Sequence, residues 1–146
     1  MVNLKAAVRT TVLLDDDPQQ LDLRALSMRM SGFSAVTASS PIEAMSLMNE
    51  PIFGKIDVAV IDYHMPLMSG CILAEYLKAR YPQLKIVLYS GALDISEDEM
   101  TSVDVFIPKS EGIGRLISKL AEFAQVDPAN FTMFAAENNA RVHAVN

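Results

Sequence analysis

Five short apolar runs, separated by segments of helical length, constrain this 146-residue chain more than any other feature. They lie at residues 10–14, 33–38, 56–61, 85–89 and 103–107; Val, Ile and Leu dominate all but the second, which reads as a strand by Val36 and Thr37. Runs of this length, rich in branched side chains and bounded by turn residues, read as buried strands. Helix signals fill the intervals. Asp17 is a predicted N-cap with Pro18 at the first helical position, and Leu21, Leu23, Leu26 and Met30 are its apolar positions before Ser31-Gly32. Ser40-Pro41-Ile42-Glu43 and Ser96-Glu97-Asp98-Glu99 are capping boxes, the first opening a helix with Ile42, Met45 and Met48 on one face. A third helix begins after Ser69-Gly70, carries Leu73, Tyr76, Leu77 and Tyr81, and stops at Pro82. A last helix is expected over 111–125. Strands that alternate with helices imply an α/β domain, with a parallel sheet covered on both faces and right-handed crossovers.

The residues that end the strands are chemically selective. The first strand ends on Asp15 and Asp16, the third on Asp62, the fourth on Ser90, and Lys109 stands just beyond the fifth, after Pro108. In an open α/β sheet the carboxyl edge is where ligands bind, because loops and helix N-termini open outward there. One acid at a helix start needs no special role, since negative charge meets the helix dipole favourably. That accounts for Asp17, but it leaves Asp15 and Asp16 unexplained at the end of a buried strand. For Ser90 a turn serine and for Lys109 a solvated loop lysine are adequate readings singly and weak ones jointly.

Composition narrows the classes. The net charge of −6 and the scatter of the 12 basic residues exclude a nucleic-acid groove, which needs a concentrated basic face. An acidic protein of this kind binds a protein, or a cation at clustered carboxylates. No apolar run approaches the roughly 20 residues that span a bilayer, and no secretory signal is legible in 1–10, so a cytoplasmic location without membrane contact is expected. Cys71, the single cysteine, reads as a small core residue.

Four motifs together carry a family resemblance: Leu13-Leu14-Asp15-Asp16-Asp17-Pro18, Val60-Ile61-Asp62-Tyr63-His64-Met65-Pro66, Leu88-Tyr89-Ser90-Gly91 and Phe106-Ile107-Pro108-Lys109. In order and placement they resemble a response-regulator receiver domain of two-component signalling, over about residues 10–125. The resemblance implies a flavodoxin-like, doubly wound five-stranded sheet of order 2-1-3-4-5, with 1–9 as a leader and 126–146 as a tail. It implies that Asp62 is the phosphoacceptor, taking a phosphoryl group from a sensor histidine kinase or histidine phosphotransfer protein. A Mg²⁺ or Mn²⁺ ion would be held by Asp15, Asp16, Asp62 and the His64 backbone carbonyl. Lys109 and Ser90 would receive phosphoryl oxygens, and Ser90 with Phe106 would form the switch. Such a module is no enzyme on outside substrates, though it catalyses its own phosphorylation and dephosphorylation. Its output would pass to a protein target, with a homodimer as one candidate assembly.

Two departures from the family pattern generate expectations. Many receivers carry Pro directly after the Lys, whereas here Ser110 comes next and Pro108 precedes. Either a strained cis Lys109–Ser110 bond or a displaced Lys109 is therefore expected. The 91–105 segment is about one helical turn short, so the fourth helix should be short or irregular. Two other readings remain open. Asp15-x-Asp17 after an apolar strand is similar to the haloacid-dehalogenase phosphatase signature, though no acidic pair comes after Lys109 and Asp62 would have no role. A phospho-independent interaction module would not require the intact set of polar residues. In the tail, Asp127-Pro128 caps a predicted helix through Phe131, Met133, Phe134 and Ala136.

Overall fold

The structure, a computed structural model, describes residues 10–123; the expected leader, the end of the last helix and the tail with its Asp127-Pro128 cap lie outside them. The described chain runs β1 (Thr10–Leu14), α1 (Pro18–Met30), β2 (Ser34–Ala38), α2 (Pro41–Leu47), β3 (Ile56–Ile61), α3 (Gly70–Arg80), β4 (Lys85–Ser90), β5 (Val105–Pro108) and α4 (Ile113–Phe123). All neighbouring strands are parallel, in the order β2-β1-β3-β4-β5. This is the order that the family resemblance implies. Among the described residues, no helix is long and apolar enough to cross a membrane.

Strand alternation sorts the core into two layers. Val12, Leu14, Ala59, Ile61, Ile86 and Leu88 face one side, against Ala44 of α2 and Leu73, Ala74 and Leu77 of α3. Leu13, Val58, Val60, Val87, Tyr89 and Ile107 face the other, against Leu21, Ala25 and Met28 of α1 and Leu116, Leu120 and Ala121 of α4. The central strands are thus buried on both faces, which is why they read as unbroken apolar runs.

The helices bury a different face from the one expected in two places. Helix α1 buries Leu21, Ala25 and Met28, whereas Leu23, Leu26 and Met30 are exposed. The 3.6-residue period explains it: positions 21, 25 and 28 form one stripe, and 23, 26 and 30 form another almost opposite. In α2 the buried stripe is Pro41 and Ala44, continued by Met48, and Ile42 is exposed. A further turn was not legible at all. Pro51–Lys55 forms a 3-10 helix that places Phe53 in the core, its ring 4.8 Å from that of Tyr81.

The fourth helical element is one 3-10 turn, Glu97–Met100, as its short segment suggests. Its Glu99 carboxylate accepts from the backbone N–H of Ser96 at 3.2 Å. Cys71 is buried in the α3 layer; burial, then the charges of Glu99 and Glu75, push its thiol up to about 11, which makes it an inert core residue.

One polar tie sits at the opposite edge of the sheet. Asp104 Oδ2 accepts from Lys78 Nζ at 2.7 Å and from the Ile86 N–H at 2.8 Å. Desolvation raises its carboxyl, but these two bonds outweigh it and hold the group below its ordinary 3.8. A depressed acid contributes stability above its unfolded value, and that contribution is lost as pH falls through the folded one. Asp104→Asn is expected to cost about 1 kcal/mol at neutral pH, after allowance for its partial exposure. In urea unfolding, the gap to wild type should close as pH drops below 3.8.

Candidate functional site at the carboxyl edge of the sheet

Register brings the acids together. Leu14 pairs with Ile61 across β1 and β3, so Asp15 and Asp62, the next residues of each strand, emerge side by side. The ladder continues one step further, with the Asp62 N–H donating to the Leu14 carbonyl at 2.9 Å. Asp15 and Asp62 are 2% and 7% exposed, so neither carboxylate has bulk water as its main solvent. Asp16 is exposed at the rim. One carboxylate oxygen from each of Asp15, Asp16 and Asp62 lies within 4.8 Å of the others.

Each buried acid has protein partners. Ser90, fully buried at the end of β4, donates its hydroxyl to Asp62 Oδ1 at 2.8 Å. Lys109 Nζ reaches Asp62 Oδ2 at 2.7 Å and Asp15 Oδ2 at 3.2 Å. The His64 N–H points back at Asp62 Oδ1 from 3.4 Å, and its ring is exposed, edge-on to Tyr63. Asp15 Oδ1 accepts from the Asp17 N–H at 3.0 Å, and Asp15 Oδ2 also accepts from Arg24 Nη1.

The electrostatics of the two neighbouring aspartates diverge. Burial alone raises Asp15, but the Asp17 N–H, the Arg24 guanidinium and the Lys109 ammonium together hold it below the usual range. Asp16 is pushed up, by desolvation first and then by the hydrogen bond and charge of Asp15 and the charge of Asp62. An acid disfavoured by two adjacent carboxylates is a group for which a hard cation is the natural partner. The donor set is all oxygen, and its spacing fits a small divalent ion.

The Lys109 loop corrects a sequence expectation. There is no cis peptide among the described residues, and Lys109 is not displaced. Instead Lys109–Glu111 form a 3-10 turn, closed by the Gly112 N–H on the Lys109 carbonyl at 3.0 Å. Gly112 carries φ 87°, a backbone conformation that side chains resist, and this lets the chain reverse into α4. Pro108 is tolerated because β5 is an edge strand.

Phe106 faces the α3 layer, half-buried, and pairs with Leu88 two residues before Ser90 on the same face. Two functional contacts were not anticipated from the sequence. Arg24 lies one turn after the buried Leu21, and its position under the acidic loop was legible only from the helical period. The Tyr63 hydroxyl, just beyond β3, donates to Glu99 at 2.7 Å and so ties that loop to the 97–100 turn. No local pattern links two residues so far apart in the chain.

Comparison with known proteins gives the family and supports the fold. The response regulator receiver domain family matches residues 11–121. The sensor kinase CckA of Brucella abortus is 30% identical over 121 residues, covering 79% of this chain and 12% of its own length. The chain spans only 12–17% of the length of the first curated relatives it matches. Among solved structures, the response regulator TrrA of Thermotoga maritima in complex with Mg²⁺-BeF superposes with a TM-score of 0.71 at 22% identity. That match covers 80% of this chain and 99% of TrrA. The complex of the histidine kinase ThkA with TrrA gives a TM-score of 0.71 at 22% identity, over 80% of this chain and 98% of the matched one.

Proposed function

Because the chain belongs to the response regulator receiver domain family, we propose that it accepts a phosphoryl group on Asp62 and relays that event through Ser90 and Phe106. The observation that carries this reading is the convergence on one buried carboxylate. Lys109 and Ser90 both hydrogen-bond Asp62, and Asp15 and Asp16 lie beside it. In the phosphatase alternative Asp15 would be the nucleophile; the Ser90 hydroxyl, however, is on Asp62. No acidic pair on a strand end comes after Lys109 among the described residues. A phospho-independent module would gain nothing from burying this charge cluster.

The chemistry assigned to the chain's own groups is simple. An Asp62 carboxylate oxygen attacks phosphorus while the bond from phosphorus to the donor's imidazole nitrogen breaks; that nitrogen leaves with the electron pair. Lys109 and Ser90, already on Asp62, need only small shifts to donate to the oxygens of the transferred group. Phosphoryl transfer asks mainly for position and charge neutralisation, and these two donors supply both. A Mg²⁺ ion bound by Asp15, Asp16, Asp62 and the His64 carbonyl would neutralise further negative charge there. Hydrolysis by water returns Asp62 to its free form.

Relay depends on the Ser90 contact. When the hydroxyl turns from the carboxylate to the phosphoryl group, it vacates space on the face it shares with Phe106, and the half-buried ring can fill it. The partner class is a histidine kinase or a phosphotransfer protein, supported by the complex in which TrrA was solved with ThkA. The exposed row Leu23, Leu26 and Met30, which runs from the middle of α1 to its C-terminal end, is the apolar surface we assign to that docking. We take 10–125 as the receiver unit, 1–9 and 126–146 as flanking segments, and the cytoplasm as its compartment. Its downstream target is a protein and not a nucleic acid, in keeping with the net charge of −6.

Intact mass after incubation with acetyl phosphate and Mg²⁺ tests the reading. A single phosphoryl adduct that fails to form in excess chelator is the expected result. No adduct, or continuous hydrolysis of unrelated phosphate esters, would overturn it.

A further inference from the structure

Asp15 carries more positive charge than phosphoryl transfer at Asp62 requires. A carboxylate offers about four lone-pair positions. On Asp15 Oδ1 one is taken by the Asp17 N–H, and on Oδ2 two are taken by Lys109 and Arg24. Lys109 has a second acid, Asp62, to serve. Arg24 forms its ion pair with Asp15, and the transfer proposed above assigns it no step.

Arg24 is also held in place. It projects from the second turn of α1, its side chain is 13% exposed, and its guanidinium carbon stands 5.2 Å from the centre of the Tyr89 ring. Tyr89 is buried on β4, in the layer that α1 covers. A guanidinium held over the face of a buried ring loses less further freedom when it meets a carboxylate. It is thus a preorganised cation already seated on one of the three acids.

We propose that Arg24 is a built-in competitor of the divalent ion for Asp15. Seated on Tyr89, it acts as a built-in counter-cation for Asp15 and so raises the Mg²⁺ concentration at which the acidic cluster fills. The inference rests on the receiver reading, in which Asp15 is a metal ligand. Its physical basis is competition: the guanidinium withholds lone pairs from the ion, and two cations sharing one carboxylate repel each other. Without Mg²⁺ the same contact offsets one of the cluster's three negative charges and stabilises the fold. With Mg²⁺ it opposes binding. The arginine thereby sets how strongly phosphorylation depends on free Mg²⁺ while leaving the acceptor chemistry to other groups.

The test is a Mg²⁺ titration of the full, unphosphorylated chain at constant ionic strength, read by calorimetry and by melting temperature. Charges of this size near one carboxylate, even screened as in water, correspond to roughly ten-fold in affinity. Arg24→Met and Arg24→Gln should therefore bind Mg²⁺ about ten-fold more tightly than wild type, and Arg24→Lys should stay within about three-fold. The Met and Gln variants should also melt lower without Mg²⁺ and recover much of that loss at saturating Mg²⁺. A residue that merely packs would lower melting equally in both conditions and leave the Mg²⁺ affinity unmoved. If Met prevents folding, Gln keeps a neutral hydrogen-bonding head group and decides the question. Unchanged or weaker Mg²⁺ binding in a folded variant, beside a wild type that binds, overturns the Arg24 inference alone. A wild type that binds no Mg²⁺ overturns the metal reading with it.

Discussion

Replacing Asp62 with Asn is expected to abolish the phosphoryl adduct formed with acetyl phosphate, with at least a roughly hundred-fold loss of labelling, or about 2.7 kcal/mol in the barrier. The substitution keeps the shape and the backbone. The Asp62 N–H still completes the ladder on Leu14, and the amide oxygen can still accept from Ser90. What it removes is the nucleophilic oxygen and one charge from a crowded site. The folded protein should lie within about 1 kcal/mol of wild type, because the lost Lys109 pair is offset by relief of repulsion from Asp15 and Asp16. Far-UV circular dichroism and urea unfolding check that the loss is chemical and not structural. An adduct that survives would mean that another acid accepts the group. If it mapped to Asp15, the phosphatase alternative would become the better account.

The parts of this site that sequence made legible are those fixed by short-range rules. A strand ends where a carboxylate, a serine or a proline-lysine pair interrupts an apolar run, and such endings in one parallel sheet must share an edge. The two-sided burial of β3 and β4 is encoded in runs without alternation. What escaped depends on rotation or on distance. The stripe that α1 buries turns on whether the helix is phased on Leu21 or on Leu23, and both stripes are apolar. Arg24 falls beside the buried stripe, so its meeting with Asp15 can be read only once that phase is known. The Tyr63 contact with Glu99 joins two loops across the α3 layer, and no local pattern encodes it. The expectation about the Lys109–Ser110 bond failed for another reason. It carried over a family's solution to a turn, while this chain has its own: a 3-10 turn with Gly112 at positive φ.

Gly70→Ala should be among the most damaging single-methyl changes available to the fold, because of how closely the end of β3 meets the start of α3. A Cβ built at Gly70 would stand 2.0 Å from the Asp62 carbonyl oxygen and 2.9 Å from Ile61 Cγ2. Neither neighbour can yield cheaply. The backbone on either side is anchored, at Asp62 by its N–H on the Leu14 carbonyl and at Gly70 by its own N–H on the Tyr63 carbonyl at 2.8 Å. Relief requires moving the start of α3 away from the end of β3, which opens the buried layer of Cys71, Leu73, Ala74 and Leu77. Overpacking of a tight site costs typically about 1–3 kcal/mol, and a backbone clash this close should reach about 3 kcal/mol or more. Gly114 is the control, since a Cβ there meets nothing within 4 Å in a helix. Gly114→Ala should stabilise by about 0.5–1 kcal/mol, through the lower backbone entropy of the unfolded chain. Urea midpoints at constant m-value should therefore move in opposite directions for the same added methyl. If Asp62 is the acceptor as proposed, the Gly70 variant should also take up the phosphoryl group more slowly even where it remains folded, since the carbonyl it displaces belongs to Asp62. If instead it loses stability yet labels as wild type does, the start of α3 must move freely against β3, and the orientation of Asp62 would have to be fixed by Ser90 and Lys109 alone.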